Sequence, residues 1–114
     1  MESKLLRFQQ DVIEGEILNL IKKEALPILE RLLEWSQSHE ARALYLKMKA
    51  DCKRYLAEML PSDSSKHQET LDDAQLYYEH ARGECEYLMS THSLRLSCAL
   101  NHAVLLAETN KSVA

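Results

Sequence analysis

Tyr45 to Glu58 reads YLKMKADCKRYLAE, and its periodicity sets the reading of the whole chain. On a helix, Tyr45, Met48, Cys52, Tyr55, Leu56 and Met59 recur at three- and four-residue intervals and form one apolar face. Lys47, Asp51, Arg54 and Glu58 line another face and alternate in charge. Taken alone, that ladder reads as a solvated stripe held by pairs contributing roughly 0.3–0.5 kcal/mol each.

On either side of this stretch the same period continues between short polar breaks. Before it, Glu2 to Trp35 carries Leu6, Ile13, Ile17, Leu20, Leu26, Leu29 and Leu33, with a second line through Leu5, Phe8, Val12 and Ile21. That stripe is wider than one neighbouring helix covers, and Pro27 should kink or split the segment. The break SQSHE at Ser36 to Glu40 supplies a serine N-cap for a second helix over about Ser38 to Leu60. Pro61 and the string SDSS end it.

A third helix, about Ser65 to Met89, repeats Leu71, Ala74, Tyr78, Ala81, Cys85 and Leu88 along one face and should lie against the second. Thr91 is the expected N-cap of a fourth helix, about Ser93 to Thr109, whose expected buried residues are Leu96, Leu100, Ala103, Val104 and Ala107. Short connections between long helices imply antiparallel neighbours. The fold class is therefore all-α, with about four long helices stacked as antiparallel hairpins. The packing is like that of tetratricopeptide arrays, but the signposts of their 34-residue repeat are absent.

The composition agrees. With 114 residues, two Gly and two Pro, the chain is one domain with few turns. A net charge of −4 argues against nucleic acid as a partner. Apolar runs reach about five residues, far short of the roughly 20 needed to span a bilayer, so no membrane association is expected. Cys52, Cys85 and Cys98 form an odd set without framework spacing and read as reduced thiols of a cytoplasmic or nuclear protein.

Two strings carry a family resemblance. YLKMK, Asp51 and RYLAE closely resemble a helix of the 14-3-3 phosphoserine/phosphothreonine-binding proteins, and THSLRLSCALN at Thr91 to Asn101 is similar to that family's THPIRLGLALN. The resemblance implies an adaptor of signal transduction that binds phosphorylated proteins or peptides, without cofactor, metal or enzymatic activity. It implies a single 14-3-3-like domain over 1–114, truncated relative to the family. Two further basic residues of the family's phosphate pocket come from a helix preceding this stretch, and a last helix with an Asn and a Trp follows it. Loss of two charge-assisted donors would cost about 2–5 kcal/mol of phosphopeptide affinity.

The residue chemistry suits that role. A phosphoserine offers nearly two negative charges and three acceptor oxygens, which Arg matches with a planar fork. By resemblance, Arg54 and Tyr55 match phosphate-binding positions, and Glu58 matches the acid that orients the arginine. Lys47 and Asn101 match contacts to peptide backbone, and Leu100 and Val104 match groove-lining positions. Departures lie at Cys52 and Lys53, where the family has an aromatic pair, and at Cys85 and Glu86, where it has a Lys pair. The alternative reading is a helical-hairpin interaction scaffold without phosphate dependence. On either reading the wide stripe of the first helix predicts a homo-oligomer.

Weaker constellations remain. Cys98 and His102 are four apart and, with His92, have too few ligands for a metal site. Cys85 and His80 lack an oxyanion-hole loop. Asp72 and Asp73 read as helix N-terminal charge.

Overall fold

The computed structural model describes residues 2–113, and side chains over residues 3–109. Helix α1 spans Glu2–Leu20, passes through a π-helical turn at Ile21–Ala25 and continues as α2, Leu26–Trp35. Helices α3 (His39–Glu58), α4 (Ser65–Cys85) and α5 (Ser93–Val113) follow. The molecule measures 54 × 34 × 26 Å.

Pro27 accounts for the π turn. Its ring crowds the carbonyl of Lys23 and it has no N–H to donate, and the chain answers by widening the helix rather than breaking it. The Leu26 N–H reaches back to the carbonyl of Ile21, a spacing of five that relieves the ladder ahead of the proline.

Serines start two helices, the first as the sequence implies. Ser38 Oγ accepts from the Ala41 N–H at 3.0 Å, and Ser64 Oγ accepts from the His67 N–H at 3.1 Å. At α5 the cap is His92 instead of Thr91: its Nδ1 accepts from the Leu94 N–H at 3.1 Å. A neutral imidazole nitrogen does there what a hydroxyl oxygen was expected to do.

The core differs in detail from the apolar stripe first read. The buried face of α3 is Ala43, Leu46, Ala50, Leu56 and Ala57, while Met48 and Tyr55 are exposed. Alanines at these positions let α4 approach closely with Ala74 and Ala81. Ala43, Leu46, Ala81, Cys85 and Cys98 form one cluster, and Ala50, Ala74, Tyr78 and Leu105 form a second. Helices α3 and α4 therefore run antiparallel. His67 Nδ1, 2.7 Å from the Ala57 carbonyl, closes the hairpin at its turn. At the other end Glu84 receives Arg42 Nε at 3.0 Å and His39 Nδ1 at 2.6 Å. That paired carboxyl titrates below its ordinary range, chiefly because of the His39 hydrogen bond. Asp72 and Asp73 lie inside α4, not at its start; Asp73 pairs with Lys53 at 3.6 Å.

Helix α5 packs with Cys98, His102 and Leu105 inward. Leu96, Leu100, Ala103, Val104 and Ala107, expected in the core, are exposed. A helix this rich in Leu and Ala offers two apolar faces, and the one bearing Cys98 and Leu105 meets α4. Burial, together with the neighbouring Cys85 thiol, pushes the Cys98 thiol well above its usual range. Among the described residues all three cysteines are free. Every side chain over residues 3–14 is exposed, including Leu5, Leu6, Phe8, Val12 and Ile13. No described helix is long and apolar enough to cross a membrane.

Candidate functional site

The charge ladder of α3 is not a solvated stripe. The side chains of Lys47, Asp51 and Arg54 are only 16%, 16% and 12% exposed, because this face turns toward the junction of α3 with α4 and α5. Asp51 sits at the centre. Its Oδ2 accepts from Lys47 Nζ at 2.9 Å. Its Oδ1 accepts from Asn101 Nδ2 of α5 at 3.1 Å and from the Tyr78 hydroxyl of α4, and it lies 3.9 Å from Arg54 Nη2. One carboxylate thus ties together donors from three helices.

Tyr78 is the residue that sequence reasoning placed only in the core. Its ring is fully buried, and a buried phenol must find a partner for its hydroxyl. Burial first, then the hydrogen bond to Asp51, raises its pKa far above the usual phenol range, so it stays a donor. The signal available in the sequence was a buried-face Tyr opposite a helix whose only acid between two cations was Asp51. Arg54 loses hydration on burial, yet Tyr78, Asp51 and Tyr55 more than offset this and its guanidinium is held firmly charged.

The structure brings Lys47, Arg54 and Asn101 together around Asp51. Tyr55 is exposed, with its ring centroid 5.2 Å from Arg54 Cζ, where the guanidinium lies against the aromatic face. Glu58 is exposed, and the carboxylate in ion-pair range of Arg54 is that of Asp51 instead. Leu100 and Val104 stand on the exposed side of α5, on either side of Asn101 in sequence. Leu44, Met48 and Tyr55 form an exposed apolar line along α3.

These elements make a charged strip with apolar borders. Arg54 Nε is sealed from solvent without a hydrogen-bond partner, so the donors Arg54 can offer a ligand are those of its Nη groups, and Lys47 has spent one of its three donors on Asp51. Asn101 retains its carbonyl and one amide hydrogen. The strip can therefore receive an acceptor-rich anion together with an extended backbone. The other pairings singled out from sequence do not converge. His80 is exposed while Cys85 is buried, and His102 faces Arg82, with Nδ1 3.4 Å from Arg82 Nη1. Among the described residues no group of three or more metal-ligating side chains comes together.

The sequence profile of the family described as 14-3-3 protein matches residues 1–114. The chain is similar to a 14-3-3-like protein of Fucus vesiculosus, 37% identical over 107 residues, which cover 91% of this chain and 41% of that one. It is 35% identical over 107 residues to 14-3-3 protein beta/alpha-B of Xenopus laevis, covering 92% of this chain and 43% of the other. With 14-3-3 protein theta of Homo sapiens the identity is 35% over 107 residues, covering 92% and 42%. The chain spans about two-fifths of the length of the curated relatives it matches.

Proposed function

This chain belongs to the 14-3-3 family, and we propose that it acts as a non-enzymatic adaptor, a single helical domain that binds phosphoserine or phosphothreonine segments of partner proteins. The observation that carries the reading is the convergence of Lys47, Arg54 and Asn101 on Asp51. Arg54 and the Tyr55 phenol take the phosphate, Lys47 and the Asn101 amide take the peptide backbone, and Leu100 and Val104 meet apolar side chains of the ligand.

Asp51 has two effects on such binding. It holds the donors in fixed directions, which lowers the ordering cost of association. It also competes with the phosphate as a single negative charge against nearly two, so the phosphate prevails by charge and by its third acceptor oxygen. A place in the cytoplasm or nucleus suits that role, in keeping with three free cysteines.

The test is a titration with a phosphopeptide and its unphosphorylated twin against the wild type and Arg54→Ala. Tighter binding of the phosphorylated form, lost in Arg54→Ala, is expected. Equal affinity for the two peptides would favour the second reading, a helical-hairpin scaffold without phosphate dependence. That alternative draws on the exposed apolar residues of α1, a surface that needs no phosphate.

A further inference from the structure

Two nucleophilic side chains that the phosphopeptide reading does not use meet in the core. Cys85 on α4 and Cys98 on α5 are 2% and 0% exposed, and both belong to the cluster that also holds Ala43, Leu46 and Ala81. Cys98 is the member that α5 contributes, and Cys85 lies one turn beyond Ala81 on α4. The two thiols interact directly: after burial, a hydrogen bond with Cys85 is the next cause that raises the Cys98 thiol. Cys52 on α3 is half-buried and lies outside this cluster.

Both residues depart from the family strings. Cys85 replaces one of a Lys pair, and Cys98 in THSLRLSCALN stands where THPIRLGLALN has a leucine. Departures on two helices thus place two sulfurs side by side. The loop between them is short, and Cys85 is the last residue of α4 with turns following it. Burial keeps oxidants away, so reaction requires local opening, and here the fraying of one helix end supplies it.

We propose that Cys85 and Cys98 are a redox modification site, a dithiol that a small disulfide such as oxidised glutathione converts reversibly into an intramolecular disulfide between α4 and α5. One cysteine thiolate attacks the oxidant, whose S–S bond breaks and releases a first glutathione thiolate. The second cysteine loses its proton and attacks the resulting mixed disulfide, releasing the second. The protein gives up two electrons and two protons, which leave on two molecules of reduced glutathione. Since the second thiol already lies alongside, this step is intramolecular and prevails over capture by another thiol. The bond fixes α5 to the hairpin three residues before Asn101.

The test incubates the protein with oxidised glutathione and, in a second arm, refolds it from urea in the same buffer, so that burial no longer limits access. Free thiols are then alkylated. Trypsin cuts after Arg82 and Arg95 and so separates the two cysteines. The dominant product expected after refolding is Gly83–Arg95 joined to Leu96–Lys111, lighter by two hydrogens and reversed by reductant. Cys52→Ser should form it equally, and Cys85→Ser and Cys98→Ser should form no intramolecular bond. Oxidation should raise the urea midpoint of the wild type and leave that of Cys98→Ser unchanged. Glutathione adducts without the joined peptides, a bond to Cys52 as the main product, or a lower midpoint on oxidation would overturn the proposal. The outcome does not depend on whether Arg54 holds a phosphate.

Discussion

Tyr78 on α4 donates its hydroxyl to Asp51 on α3 from a fully buried position, joining the core of the hairpin to the charged face that organises the candidate site. Removing that hydroxyl while keeping the ring isolates the link. Tyr78→Phe should cost about 1.5–3 kcal/mol, the range for a hydrogen bond to a charged group, read as a lowered urea midpoint at unchanged slope. A variant as stable as the wild type would show that the phenol contributes packing alone.

His102 gives a pH dependence of known sign. Burial, reinforced by the nearby Arg82 charge and opposed by Glu79, depresses its folded pKa below the ordinary 6.5. The unfolded ring therefore takes up its proton first as pH falls, and stability should fall as pH drops below about 6.5 toward the folded value. His102→Phe should flatten this limb in urea titrations. A wild-type stability constant between neutrality and pH 5 would contradict the assignment.

Glu84 governs a lower window. Its folded carboxyl titrates below the ordinary 4.5 because His39 first, and Arg42 next, favour the charged form. The stability it contributes is present above 4.5 and is lost as pH falls through the folded value. Glu84→Gln should remove that acid limb while leaving the His102 limb in place, and the two variants combined should remove both.

The helix starts can be tested one serine at a time. Ser38→Ala and Ser64→Ala should each cost about 1 kcal/mol, with Ser64 the larger because its Oγ also donates to the Pro61 carbonyl at 2.8 Å. The caps sit on different helices and share no partner in these bonds, so the double variant should lose close to the sum. A double variant no less stable than either single one would contradict independent capping.

We further infer that the apolar residues of α1 are covered by a second copy of the chain in solution. Leu6, Phe8 and Ile13 are 61%, 66% and 56% exposed, a run of large side chains that water does not favour. Sedimentation should show concentration-dependent association that Phe8→Glu with Ile13→Glu abolishes. A monodisperse monomer at high concentration would count against it.

The helices were legible because period and punctuation agreed: polar breaks at Ser36 and Pro61, serine caps, and three-four spacing within each run. The antiparallel order followed from the short connections. Less legible was which face of a helix turns inward. On α3 the decisive residues were Ala43, Ala50 and Ala57, which carry little hydropathy but permit close approach, so Met48 and Tyr55 drew the stripe toward the wrong side. The same ambiguity put Leu100 and Val104 in the core of α5 in place of Cys98 and His102. Within the site, Lys47, Arg54 and Asn101 were given their roles by the family resemblance, while Asp51 was read only as a rung of the charge ladder and Tyr78 only as a core residue. A contact across two helices leaves no trace in the spacing of either one. Nor could spacing show that Glu58 stays exposed while Asp51 stands beside the arginine.

The central claim, that phosphate is seated on Arg54, is tested most directly by the ³¹P resonance of a phosphoserine peptide titrated with the protein. The resonance is predicted to shift and saturate with the wild type and to stay at its free position with Arg54→Ala. An equal shift with both proteins, or none with the wild type, would contradict the account.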